Sequence, residues 1–162
     1  MPEGSTQELV YVREVAIRYR GPRRVVAAVI GHARLAVAFA RKLVTDDARE
    51  HFVALYLDGR HRPIAHSVVG VGTATATLVH PREVFQPGVL AGAVAVIVLH
   101  NHPSGDPSPS SEDREITERL RKAGEILGIR LLDSVVWTTH GAFVSILDET
   151  GRVLSVSLPD LG

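Results

Sequence analysis

The 162-residue chain has no cysteine. Disulfides and thiolate-bound metals are excluded, so any metal must be held by His, Asp or Glu. It has no excess charge either: 18 Lys and Arg offset 18 Asp and Glu. That removes the electrostatic footprint of a stand-alone nucleic-acid binder. The local cluster of Arg18, Arg20, Arg23 and Arg24 reads as a solvated basic turn. No apolar run reaches the ~18 residues that cross a bilayer, so no membrane partner is expected. The opening residues MPEGSTQELV lack the basic start of a signal peptide. A cytoplasmic location is the resulting expectation. Methionine occurs once, and Asn101 is the only asparagine. Few thermolabile residues fit a thermophile. The excess of Arg over Lys fits a GC-rich genome equally well.

What is present is an ordinary globular composition, 45% apolar and 22% charged, long enough for one domain with a real core. Residues 10–19 alternate as a strand does, and Gly21-Pro22 ends it. Leu35, Phe39 and Leu43 lie four apart and predict a helix over 33–44. Strands are expected at 51–57, closed by Asp58-Gly59, and at 63–70 and 74–79. His80-Pro81 reads as a helix start, which Pro87-Gly88 should interrupt or restart. Residues 93–99, AVAVIVL, are uniformly apolar, as in a central strand covered on both faces. Ile116, Leu120, Ala123 and Leu127 give a helical stripe closed by Gly128. A strand at 129–138 and a hairpin of 142–148 with 152–158 complete the chain. The pattern is an α/β (α+β) fold with a mixed sheet and about three helices, not a purely parallel one.

The chemistry is concentrated at residues 97–113, IVLHNHPSGDPSPSSED. A strand points residues i and i+2 to one side, so His100 and His102 project together from its end. Pro103 stops the strand. Gly105, Pro107 and Pro109 shape a tight loop, and Ser110 is placed as the N-cap of the next helix. Asp113 falls in the first helical turn, where the dipole favours a carboxylate. Two His and one carboxylate, with a fourth position open, form a catalytic zinc arrangement. Asn101 should point away from the two His side chains and is expected to fix the loop. Each residue alone has a bland reading, either a surface histidine or a capping motif. Their spacing together is specific.

His100-Asn101-His102-Pro103 followed by Ser110 and Asp113 resembles the JAMM motif His-x-His-Pro-x6-Ser-x-x-Asp. The longer string HNHPSGDPSPSSED is similar to RadC family proteins in particular. Arg49-Glu50-His51-Phe52, His80-Pro81-Arg82-Glu83-Val84-Phe85 and Leu131-Leu132-Asp133 add to the resemblance, which spans roughly residues 30–150. Where RadC-like chains read Leu-Asp-His, this one has Leu132-Asp133-Ser134. The resemblance implies a single MPN domain of three layers, similar to cytidine deaminase, over residues 31–162. Residues 1–30 would form an N-terminal extension with one strand. It implies one Zn2+ ion on His100, His102 and Asp113, Glu50 as general acid and base, and Ser110 as oxyanion donor. Glu83 is the second candidate for the base, ranked lower because it should lie in a helix start. The implied protein is a hydrolase, a metalloprotease that cleaves a peptide or isopeptide bond. Its substrate would be a peptide or protein, ubiquitin-like modifiers included. The alternative is a DNA-repair-associated or protein-binding module with a non-catalytic zinc site. Cupins are all-β, and zinc deaminases need the cysteines this chain lacks. Oligomeric state stays open.

Overall fold

The computed structural model describes residues 15, 16, 18–21, 29–72 and 79–147, and the backbone of 154–155. Its elements run α1 (Ala33–Leu43), β1 (Glu50–Leu57), β2 (Pro63–Gly72), α2 (Pro81–Ala91), β3 (Ala95–Asn101), α3 (Ser111–Leu127), β4 (Arg130–Trp137), β5 (Ala142–Ser145) and β6 (Leu154–Ser155). The six strands form one sheet in the order β2-β1-β3-β4-β5-β6. Only the β3/β4 pair is parallel, and α3 makes its crossover. The others are antiparallel, giving the mixed sheet expected.

Every residue of β3 is buried, because helices cover both sides of the sheet. On one side α1 packs Ala36, Val37 and Ala40 against Val53, Leu55, Ile97 and Leu99. On the other side α2 and α3 pack Val84, Phe85, Ile116 and Leu120 against Phe52, Ala54, Val96 and Val98. Odd positions of β1 and β3 thus face α1, and even positions face α2 and α3. The result is the three-layer arrangement that positions the site.

Pro87 and Gly88 do not break the helix as expected: α2 continues to Ala91 with Pro87 inside it. Tertiary packing explains the difference. Pro87 has no N–H for the Glu83 carbonyl. Beside it, the Tyr56 hydroxyl donates to the Val84 carbonyl at 2.6 Å, so the disturbed turn gains a partner from β1. Gly88 lets the backbone lie on the Tyr56 ring, where a Cβ would stand 3.0 Å from Cδ1. Burial of that hydroxyl pushes the Tyr56 pKa up to about 12, so it stays a donor throughout the usual pH range. A similar close approach fixes α3, since a Cβ on Gly124 would collide with the Ile129 carbonyl oxygen.

Of the strand expected at 10–19, Val15, Ala16 and Arg18–Arg20 have no regular structure, and the rest lies outside the described residues. Residues 74–78, Arg23 and Arg24 also lie outside them. Arg18 and Arg20 are exposed. The closing hairpin is present in reduced form, with Ala142 opposite Ser155 and Phe143 opposite Leu154. Among the described residues, no helix is long and apolar enough to cross a membrane.

Candidate metal centre

His100 is the penultimate residue of β3 and faces α2 and α3. Its ring is 2% exposed, while His102, just past the strand, is 15% exposed. Asp113 is N3 of α3 and reaches back to both. Its Oδ1 lies 3.0 Å from His100 Nε2 and its Oδ2 lies 3.3 Å from His102 Nε2. The two Nε2 atoms are 3.1 Å apart. One ligand atom from each residue lies within 4.8 Å of the others, so the three can hold a metal ion.

Local structure fixes each group. The His102 Nδ1–H donates to the Asp106 carbonyl at 2.9 Å, which leaves Nε2 free of its proton for a metal. That carbonyl is offered by the 103–110 loop, where Gly105 takes φ of 85°. His100 lacks an equivalent: its Nδ1 is buried without a hydrogen-bond partner. Its ring is instead held by stacking on Phe52, with centroids 5.8 Å apart and planes 10° from parallel. Asp113 is anchored by a reciprocal capping box. Its N–H donates to Ser110 Oγ at 3.1 Å, and the Ser110 N–H donates to Asp113 Oδ2 at 2.8 Å. One turn on, the Thr117 hydroxyl hydrogen-bonds the Asp113 carbonyl at 2.7 Å and meets Ser134 Oγ at 2.8 Å. Ser134 thus supports the helix turn that carries Asp113.

The donor set suits a metal. Two imidazoles and a carboxylate converge with their ligand atoms within 4.8 Å of one another. Burial raises the Asp113 pKa, but hydrogen bonds from His100 and His102 outweigh it and hold the carboxyl far below the usual range. The hydrogen bond to Asp113 raises His102, burial opposes it, and the Asp106 carbonyl and the charges of Asp113 and Glu50 add to the rise.

These directions set a pH window for the metal-free protein. The depressed Asp113 contributes stability present above its unfolded value of 3.8 and lost as pH falls further. The raised His102 contributes stability present below its unfolded value of 6.5 and lost as pH climbs through the folded value. Asp113→Asn should therefore destabilise the metal-stripped protein most between those values, and less above neutrality. Urea unfolding of both proteins at pH 5 and pH 8.5 checks this. An equal loss at the two values would refute the ion pair.

Glu50 is the first residue of β1 rather than a residue before it. Phe52 pairs with His100 at the end of the antiparallel ladder, so Glu50, two residues back on β1, lies on the side of the sheet that His100 faces. Its charge contributes to raising His102. Glu83 does not compete for that role: it is exposed and accepts the His80 N–H at 3.0 Å as the capping residue of α2. The exposed Ser110 spends a lone pair on the cap, and its hydroxyl, with that of Ser111, helps lower Glu112. Its single proton is thus the only donor it can offer. Asn101 does not fix the loop as expected. It binds the start of β1, with Nδ2 donating to the Arg49 carbonyl at 2.9 Å and Oδ1 accepting the His51 N–H at 2.7 Å. Sequence reading missed Phe52 and the Asp106 carbonyl. A cross-strand register and a backbone acceptor leave no local signature.

A family model described as "RadC-like JAB domain" matches residues 29–152. A UPF0758 protein from Shouchella clausii is 48% identical over 122 residues, 73% of this chain and 52% of its own length. A UPF0758 protein from Syntrophotalea carbinolica is 45% identical over 132 residues, 82% of this chain and 53% of its own. One from Methanosarcina acetivorans is 45% identical over 104 residues, 64% and 45% respectively. The chain spans about half the length of these relatives. Their names state no activity.

Proposed function

Since the chain belongs to the RadC-like JAB domain family, we propose that it is a zinc-dependent metallohydrolase that cleaves a peptide or isopeptide bond. The observation that supports the reading is the position of Glu50, two residues before the Phe52 that pairs with His100, together with the contribution of its charge to raising His102. A structural ion needs only ligands; a hydrolytic centre also needs a base within reach. Two imidazoles and a carboxylate with a fourth position open are a donor set that catalytic zinc uses, and zinc is the ion proposed.

His100, His102 and Asp113 would hold the ion, which supplies Lewis acidity and brings the pKa of water toward ~7. Glu50 takes the proton from the attacking water as its oxygen adds to the carbonyl carbon. It then returns that proton to the amine as the C–N bond breaks. The Ser110 hydroxyl donates to the developing oxyanion once released from Glu112. His102 is the more exposed of the two histidines, so a chain-like substrate would approach the centre from its side. The protein acts in the cytoplasm on peptide or protein substrates, ubiquitin-like conjugates among them.

The test is to load purified protein with zinc and screen fluorogenic peptide and isopeptide libraries, with a chelated sample alongside. Cleavage abolished by the chelator and restored by zinc is expected. One bound zinc per chain with no cleavage across the libraries would favour a binding module with a non-catalytic ion. A salt-dependent shift with duplex DNA would then point to a nucleic-acid partner.

A further inference from the structure

The β1/β3 ladder stops at the Phe52/His100 pair. Beyond it β3 turns away: the His102 N–H donates to the Trp137 carbonyl of β4 at 2.9 Å, so that backbone is committed to the other neighbour. Past that pair the register joins no residue of β3 to Glu50 or His51, the first residues of β1. The Asn101 side chain fills the gap. Its amide has the same donor and acceptor as a peptide group. It accepts the His51 N–H and donates to the Arg49 carbonyl, as a further ladder residue would. Those two groups belong to the peptide bonds on either side of Glu50. Asn101 is 1% exposed, so water does not compete for either bond.

We propose that Asn101 is a positioning residue for Glu50: its amide clamps both peptide bonds of Glu50 and so holds that carboxylate at the metal centre. The inference rests on Glu50 acting as the base. The chemistry of the position is narrow. Asp would keep the acceptor for His51 but lose the donor for Arg49 and add a buried charge. Ser cannot span both groups, and Ala offers neither. Because Asn101 adjoins His100 and His102 in sequence, one residue ties the strand that carries the ligands to the strand that carries the base.

The experiment compares wild type, Asn101→Ala, Asn101→Asp and Glu50→Gln, all loaded with zinc. It measures zinc content, amide hydrogen exchange at His51, and kcat and KM on the best peptide from the library screen. Asn101→Ala should keep its zinc. Its His51 amide should exchange at least ~10-fold faster, since that N–H loses its acceptor. Its kcat should fall ~10–100-fold with KM within about twofold, the mark of a misplaced catalytic group. Asn101→Asp should keep His51 protected and lose part of kcat. Unchanged kcat in Asn101→Ala, unchanged His51 exchange, or loss of zinc would each overturn the clamp. If Asn101→Ala does not fold, Asn101→Asp decides: wild-type kcat there refutes the proposal. A failure of the underlying reading looks different. In that case wild type cleaves nothing, or Glu50→Gln matches wild type, and His51 exchange alone then decides whether the clamp exists.

Discussion

Glu50→Gln is expected to bind zinc as wild type does and to hydrolyse peptide ~10²–10⁴-fold more slowly. The size of the loss follows from what a positioned general base contributes. Gln keeps the length and the hydrogen-bonding end of Glu but cannot take a proton at any working pH. Zinc should stay because Glu50 is not among the three ligands. Stability should change little, since the residue is only half-buried at the end of β1. The fall should appear in kcat and in kcat/KM alike, because the interaction is made in the transition state. Glu83→Gln is the control, as that side chain is used in the α2 capping box. Full activity in Glu50→Gln, or an equal loss in Glu83→Gln, would remove Glu50 from the mechanism. Loss of zinc in Glu50→Gln would make it a ligand instead.

The His100, His102 and Asp113 group was legible because its geometry is local. A period of two on a strand, and a carboxylate three residues past a serine N-cap, are short-range facts, and the fold only had to join them. Glu50 was not legible that way. It stands 50 residues before His100, and its place depends on a register that pairs Phe52 with His100. No local pattern encodes that register, so only the family resemblance raised Glu50 above a solvated surface residue. The same limit explains Asn101. Its position opposite the histidines could be read, but its partners on β1 could not, and the loop was the wrong destination. Pro87 shows a propensity overridden. The helix-breaking signal is real, yet the Tyr56 hydroxyl and the buried Phe85 face hold α2 together across it. Ser134 carries a lesson of another kind. Replacing an expected histidine with serine keeps a polar partner for Thr117 on the turn that bears Asp113.

His102→Ala is expected to drop bound zinc from one ion per chain to below ~0.1 under conditions that saturate wild type. Three protein ligands leave no redundancy: removing one leaves His100 and Asp113, a pair that only chelates weakly. His102 is the better choice of the two histidines for the test. It is the more exposed one, and its side chain packs less tightly than that of His100 on Phe52. The chain should therefore still fold, with the His102 backbone N–H bonded to Trp137 as before. Thermal unfolding separates binding from folding. Zinc at ~100 times its Kd should stabilise wild type by ~2.7 kcal/mol and leave the variant's Tm where it was. His140→Ala, at an exposed turn away from the triad, should bind and respond as wild type does. The loss cannot be assigned to general unfolding if the metal-free proteins melt within a few degrees of each other. Undiminished zinc in His102→Ala would mean that the ion sits elsewhere. The JAMM site would then have its residues but not its metal, and the hydrolase reading would fall with it.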